Sequence, residues 1–339
     1  MNVLLTGAFG NVGTSALTEL VQRGHRVRCF DVPTPANQKK ARAFRDRMEV
    51  MWGDLRNPTD VAAAVRDQEA VVHLAFIIPK MSVTGVESEQ RPDWSRAINV
   101  GGTRNLLDAM RAQPVPPRLI FASSYHIYGR TQDQLPPRRI GDPVRPIEHY
   151  AHHKVECEEM IHASGLQWCI CRLAATLPLA IKLDPGMFDV PLNNRMEYVH
   201  TRDVGFAIAA AVAHLGVWGR TLLIGGGARC QYYYREIVQR ILGSLGVGML
   251  PEKAFGTVPF ATDWLDTTES QALLGYQRRD LGDYIREMLR VVGPKRYWIP
   301  LVRPLVRKWL LAKSPYYATP KLRRAARSPN AQASGMARI

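Results

Sequence analysis

From Asn2 to about Leu173 the chain alternates short, continuously apolar runs with longer amphipathic ones. The runs at 3–5, 27–30, 50–52, 70–75, 119–123 and 168–172 are too short for helices and lack a polar face, which fits strands buried on both sides. Between them, residues 11–22, 58–66, 94–111 and 149–163 repeat apolar side chains every three or four positions, the spacing of helices laid on a sheet. This alternation predicts an α/β fold with a doubly wound parallel sheet. After Leu177 the order loosens at Pro178, Pro185, Gly186 and Pro191, and helical spacing returns at 203–214, 232–242 and 281–291. Three regions are expected: a sheet domain over 1–177, a smaller substrate-binding lobe over 178–293 interleaved with it, and a basic amphipathic tail over 294–339.

The first apolar run empties into Thr6-Gly7-Ala8-Phe9-Gly10-Asn11-Val12-Gly13. Gly7 suits a tight turn, Gly10 lets backbone amides approach a pyrophosphate, and Gly13 lets the next helix pack on the sheet, a Rossmann-type dinucleotide turn. A helix starting near Asn11 then aims its free amides at the phosphates. Asp31 ends the second apolar run, where a carboxylate accepts the ribose hydroxyls and repels a 2′-phosphate, favouring NAD over NADP. Arg26 and Arg28 moderate that preference. Asp54, at the end of the third run, either faces the adenine or caps a loop.

Composition narrows the class. The chain has 339 residues, 46% of them hydrophobic, enough for a sizeable core. No basic and apolar leader opens it, and no apolar run reaches the roughly 18–20 residues of a membrane span. Five cysteines without a C-x-x-C spacing suit reduced thiols in a cytoplasmic enzyme, with Cys169 and Cys171 packing on one strand face; no metal site is expected. The net charge of +15 is unevenly spread: residues 288–339 hold twelve Lys or Arg and no acid, which leaves only +3 for the rest. Between Tyr297 and Lys313, Trp298, Leu301, Leu305 and Trp309 mix with Arg303, Arg307 and Lys308, which suits either peripheral membrane contact or packing on the substrate lobe. Pro300 and Pro304 argue against one long helix there. Residues 321–339 read as a solvated basic end, and no nucleic-acid partner is expected because base-stacking motifs are absent.

Tyr150 and Lys154 stand four apart on one face of the helix at 149–163. A free phenol titrates near 10, so a neighbouring ammonium is expected to favour the phenolate. A Ser-rich turn, Ser123-Ser124-Tyr125-His126-Ile127-Tyr128-Gly129, precedes the pair. With the glycine turn, Asp54-Leu55, His73-Leu74-Ala75, Asn99-Val100-x-Gly102-Thr103 and Tyr198-Val199-His200-x-x-Asp203, the chain resembles the extended short-chain dehydrogenase/reductase superfamily, the NAD-dependent epimerase/dehydratase group, from Met1 to roughly Gly293.

The resemblance implies NAD held by Gly7, Phe9, Gly10, Asn11, Val12, Gly13, Asp31, Asp54, Leu55, Leu74, Ala75, Asn99, Tyr150 and Lys154. It also implies that Ser124 bonds the reacting oxygen, Tyr150 moves its proton, Lys154 orients the ribose, and two copies pair through helices that include 150–154.

Departures from the family pattern shape the expected chemistry. Tyr125 and His126 stand where sugar-nucleotide dehydratases carry Asp-Glu, so that elimination is not expected. Ala175 and Met196 replace an Asn and an Arg that meet a nucleotide diphosphate in sugar-nucleotide epimerases. Phe76, Ile77, Ile78 and Met81, and across from them Met187, Phe188 and Met196, point to a substrate of low polarity. Phe76, Ser124, Tyr125, His126, Ala175, Met187 and Met196 are the candidate substrate contacts. The expected function is an NAD-dependent oxidoreductase moving hydride between the cofactor and a secondary alcohol or ketone of a small or moderately hydrophobic molecule. A sugar-nucleotide epimerase with retained cofactor and a non-catalytic NAD-binding regulator are the alternatives.

Overall fold

The computed structural model describes residues 1–44, 47–79, 85–179 and 185–317. The strands are β1 (Asn2–Thr6), β2 (Arg26–Asp31), β3 (Glu49–Trp52), β4 (Ala70–His73), β5 (Arg118–Ser124), β6 (Trp168–Leu173), β7 (Arg195–Glu197), β8 (Arg220–Ile224) and β9 (Gln231–Tyr233). Seven of them form one parallel sheet in the order β3-β2-β1-β4-β5-β6-β8, and β7 pairs with β9 in an antiparallel ribbon. The order reverses direction on either side of β1, so Thr6 lies between Phe30 of β2 and His73 of β4. Such a switch point opens a crevice beyond the strand ends.

Alternation along β1 shows why the strands read as unbroken apolar runs. Val3 and Leu5 enter one hydrophobic layer with Leu17 of α1 (Asn11–Gln22). Leu4, between them, enters the opposite layer, where helices later in the chain cover it. Both faces are therefore buried, and a polar side chain has no face to occupy. Between β2 and β3, α2 (Pro35–Arg42) has little apolar character and buries only Asn37 and Ala41, so no hydrophobic stripe announces it. Its start is set by Thr34, whose hydroxyl accepts the Asn37 amide, and by Pro35 in the first turn.

α4 (Pro92–Arg96) leads into α5 (Gly102–Arg111), and on the Leu4 side lie α3 (Pro58–Val65), α5 and α6 (His149–His162), contributing Val61, Leu106, Met110 and Ile161. A π-turn at Ala97–Gly101 joins α4 to α5. Beyond Leu177 the chain serves two cores. α7 (Thr201–Ala213) packs on α1, close enough that a Cβ on Gly205 would lie 2.5 Å from the Ser15 carbonyl carbon, and β8 completes the sheet. The remaining elements, α8 (Tyr234–Ser244), α9 (Thr268–Leu274), α10 (Leu281–Val292) and α11 (Arg303–Lys313), include those that build a second core: α8 supplies Ile237 and Leu242, α10 Leu281 and Met288, and α11 Leu310. Pro300 stays outside α11 and Pro304 falls in its first turn, the one place where a missing amide costs nothing.

The helix that carries Tyr150 and Lys154 is pinned to the sheet by a buried ion pair. Arg172 of β6 donates from Nε and Nη2 to both Glu158 oxygens, at 3.1 and 2.7 Å, and from Nη1 to Tyr128 Oη at 2.8 Å. Both charged side chains are almost fully buried. Removing one partner strands the other charge without water. Glu158→Ala should lower the unfolding free energy by about 3–5 kcal/mol in urea titration; a loss below about 1 kcal/mol would mean that solvent reaches the pair.

Candidate active site

The first strand ends in a turn that tolerates no side chain. Gly7 sits at φ +67°, and a Cβ there would lie 2.7 Å from the Ala75 nitrogen; one on Gly13 would lie 2.1 Å from the Gly7 oxygen. α1 begins directly behind this turn with Gly10 at its N-cap, no capping side chain and no acid in its first turn. Its leading amides face a cavity of about 770 Å³ lined by Gly7, Gly10, Asn11, Val12 and Gly13 at this end. Uncapped amides at a helix start attract an anion, and the close-packed glycines leave room for a pyrophosphate, so the cradle fits a dinucleotide.

Asp31 lines the same cavity and has a second task. Its carboxylate accepts the amides of Phe9 at 3.0 Å and Val32 at 2.8 Å and the side-chain amide of Asn37 at 3.0 Å. Burial raises its pKa, against the lowering effect of the Phe9 and Val32 amides and of Lys40. Lys40 Nζ itself donates to the Phe9 carbonyl at 2.6 Å. Asn37 and Lys40 both come from α2, the helix without an apolar stripe, and sequence reasoning did not find them. Asp54 and Leu55 also line the cavity; Asp54 pairs with Arg56, which holds its carboxyl below the usual range, and it accepts the Arg56 amide, a loop role.

Two expected cofactor residues lie behind the lining. Phe9 is fully buried and packs its ring against Trp52 at 5.5 Å. Asn99, in the π-turn, accepts the Ile77 amide at 2.7 Å and donates to the Ile77 carbonyl at 3.0 Å, so it holds the loop that carries Leu74, Ala75 and Phe76 along the cavity wall. The same loop is fixed from below by Thr6, whose hydroxyl accepts the Leu74 and Ala75 amides and meets His73 Nδ1 at 2.7 Å. His73 reaches Thr103 on its other nitrogen at 3.0 Å, and burial lowers its pKa to about 3, so the ring stays neutral. Met81, expected beside this loop, lies outside the described residues.

At the middle of the cavity β5 delivers Ser124 and α6 delivers Tyr150 and Lys154, one helical turn apart. The Ser124 hydroxyl accepts the His126 amide at 3.2 Å and stands near enough to the Tyr150 phenol to lower its pKa. Lys154 donates to the Ala122 carbonyl, with its nitrogen 3.4 Å from the Phe76 ring centre, 4.5 Å from that of Phe121 and 5.7 Å from that of Tyr150. The electrostatics run opposite to the expected assistance. Burial pushes the Tyr150 phenol up to about 12, despite the lowering influence of Ser124, and burial pushes Lys154 down to about 7. The reason is local: the ammonium faces a carbonyl and aromatic rings, and desolvation exceeds what it lends the phenol.

His126 enters the site on a partner the sequence did not reveal. Its Nδ1 lies 2.9 Å from Glu148 Oε2, and its ring stands edge-on to Tyr150 and to Phe260, 5.9 and 5.6 Å between centres. Glu148 and His126 are 22 positions apart, so only the approach of the loop to α6 brings them together. Tyr125 is buried beside His126, which raises its pKa well above the ordinary value and keeps the phenol protonated.

Past Ala175 the cavity changes character. Met187, Met196, Ile237, Ile241, Phe260 and Met288 line it, and among the described residues no charged side chain does so between Ala175 and Met288. Arg195, next to Met196 in sequence, points elsewhere: its Nε bonds Asp263 at 2.6 Å and its Nη2 bonds the carbonyls of Thr131 and Gln134. The seven candidate substrate residues all line this one cavity with the Ser124, Tyr150 and Lys154 cluster. Among the described residues no group of three His, Cys, Asp or Glu is set to hold a metal, and all five cysteines are buried free thiols.

Comparison with known proteins places this arrangement. Residues 3–177, just over half of the chain, match the NAD dependent epimerase/dehydratase family. The 3-beta-hydroxysteroid dehydrogenase of Mycolicibacterium neoaurum is 30% identical over 258 residues, which are 68% of this chain and 64% of that protein. The 3 beta-hydroxysteroid dehydrogenase/Delta 5-->4-isomerase of Mycobacterium tuberculosis is 32% identical over 237 residues, 62% of this chain and 60% of that protein. The chain thus spans somewhat less than two thirds of the length of both relatives. Among solved structures, UDP-glucuronic acid 4-epimerase from Bacillus cereus, in complex with UDP-glucuronic acid and NAD, superposes with a TM-score of 0.72 at 19% identity over 86% of this chain and 99% of that one, a likeness of fold. The chain belongs to the NAD dependent epimerase/dehydratase family, within the extended short-chain dehydrogenase/reductases.

Proposed function

We propose that this enzyme interconverts a secondary alcohol and a ketone on an apolar molecule such as a sterol, an isoprenoid or a polyketide-like compound. One observation carries the reading: a single cavity joins the Ser124, Tyr150 and Lys154 cluster to a far end without a described charged side chain. A sugar nucleotide brings two phosphate charges that this end would have to desolvate without a cation. Arg195, the nearby candidate, is committed to Asp263. The names of the two steroid dehydrogenase relatives point the same way.

When bound, NAD supplies the site that takes or gives hydride at the substrate carbon. The chain's own groups handle the oxygen. Ser124 holds it by a hydrogen bond, and Tyr150 takes the hydroxyl proton in oxidation or returns it in reduction. Lys154 is the group placed to hold the nicotinamide ribose hydroxyls, and the apolar walls keep water from the reacting carbon. The same reading takes the enzyme as cytoplasmic and as a homodimer paired through helices that include α6.

With its pKa raised to about 12, Tyr150 is protonated at neutral pH, the form that serves ketone reduction. Oxidation needs the phenolate, whose fraction grows about tenfold per pH unit below the pKa. Alcohol oxidation should therefore climb between about pH 7 and pH 9 as the phenolate fraction rises; a flat profile would remove Tyr150 as the base. Tyr150→Phe should lower kcat by roughly a thousandfold or more while NAD binding, followed by fluorescence, persists. Turnover with cofactor that never leaves and no net NADH, on a sugar nucleotide, would replace this reading by the epimerase.

Lys154 gives a stability test with a definite sign. Its pKa falls from 10.5 to about 7 on folding, so burying the ammonium costs free energy below pH 7, and that cost fades as pH rises toward 10.5. Lys154→Met should make the cofactor-free protein more stable by roughly 2–5 kcal/mol near pH 6, with the gain shrinking toward pH 10. A gain independent of pH would show that Lys154 is not buried as an ammonium.

A further inference from the structure

α11 is apolar on two sides, although only one of them is buried in the protein. The inner side seals the second core: Leu310 is 1% exposed, and Val306, Leu311 and the preceding Ile299 pack against the same cluster. The outer side continues a stripe from the segment before it. Trp298 is 67% exposed, Leu301 72%, Leu305 68% and Trp309 49%, spaced three to four residues apart. A surface helix ordinarily turns polar side chains outward, and contiguous exposed aromatic and leucine side chains mark a docking face.

The surroundings of that stripe are cationic. No acid occurs from Met288 to the end of the chain. Arg303 and Arg307 donate to the backbone carbonyls of Val247, Gly248 and Met249, which hold the guanidinium groups in place without cancelling their charge. Lys308 and Lys313 are exposed, and Lys313 Nζ lies 4.6 Å from the Trp309 ring centre. A second copy of this face would bring like charges together. Tryptophan and leucine flanked by Lys and Arg suit the headgroup boundary of an anionic bilayer. Among the described residues no helix is long and apolar enough to cross a membrane, so the contact is with its surface.

Between α8 and α11 runs a groove of about 440 Å³ walled by apolar side chains, among them Leu305 and Trp309 of the exposed stripe. Leu242 and Leu245 line this groove and also line the catalytic cavity. Those two side chains stand between the groove and the cavity.

We propose that the outer face of residues 298–313 seats the enzyme on an anionic lipid surface, and that an apolar substrate passes from that surface between Leu242 and Leu245 into the catalytic cavity. The passage rests on the apolar-substrate reading above; the docking does not. Deleting the tail would test neither, because Leu310 and Ile299 belong to the second core. Trp298→Glu with Leu301→Glu is the better probe, since both side chains are exposed and neither lines the groove or the cavity.

The full chain is floated with vesicles of phosphatidylcholine alone or mixed with phosphatidylglycerol. Binding to the anionic vesicles should exceed binding to the neutral ones by roughly tenfold, weaken with salt, and fall by a similar factor in the double variant. The variant should also oxidise a vesicle-dissolved secondary alcohol roughly tenfold more slowly than wild type and a short water-soluble one at the same rate. Equal binding to both vesicle types, or undiminished binding by the variant, overturns the docking. Self-association that the variant abolishes, seen by sedimentation without vesicle binding, assigns the face to a second copy and overturns it too. Equal loss of both alcohol activities overturns the passage. Vesicle binding by a wild-type enzyme that oxidises no alcohol overturns the functional reading and the passage with it, and leaves the docking standing.

Discussion

A parallel sheet buried on both faces can present chemistry only where its strands end. Here α1 and α7 cover one face and α3, α5 and α6 the other, so Gly7, Asp31, Ser124 and Ala175 all emerge at or just beyond the carboxyl edge, along one crevice. The reversal of strand order at β1 opens that crevice, and the glycine turn keeps it open. Everything else in the site is a way of holding loops against this edge. Thr6, His73 and Thr103 fix the loop after β4 from beneath, Asn99 fixes it from the π-turn, and Arg172 with Glu158 fixes α6 beside β5 and β6.

The same enclosure sets the electrostatic state of Tyr150 and Lys154. A phenol and an ammonium placed one turn apart would assist one another in water-rich surroundings. Enclosed by Phe76, Phe121 and the strand ends, each is driven toward its neutral form, Tyr150 up and Lys154 down. Near pH 7 the pair is therefore a protonated phenol beside an amine that is only about half protonated. The apolar walls that desolvate Tyr150 and Lys154 are continuous with the uncharged lining past Ala175, so the shifted titration of the pair and the low polarity of the cavity share one physical origin.

The second core extends this logic outward. α8 separates the cavity that holds Tyr150 from the groove under α11, and its Leu242 faces both. A helix that must seal a core on one side and yet carries tryptophan and leucine on the other has been shaped by something besides folding.

What the sequence determined by itself was whatever local spacing encodes. Continuous apolar runs meant strands with two buried faces, glycines three apart meant a turn no side chain could enter, and Tyr150 and Lys154 four apart had to share a helix face. Element positions along the sheet domain followed closely from these patterns, except α2, whose polar sequence carries no stripe to read. Tertiary structure alone decided which way ambiguous side chains turned. Arg195 went to Asp263, 68 positions away, and left Met196 on the cavity wall; Phe9 and Asn99 packed behind that wall; His126 found Glu148. It also decided that desolvation would exceed the help of the neighbouring charge at Tyr150, and that α11 would spend one apolar face on the core and leave the other exposed. Those outcomes depend on contacts between distant segments and on how much water they exclude, quantities that no local spacing contains.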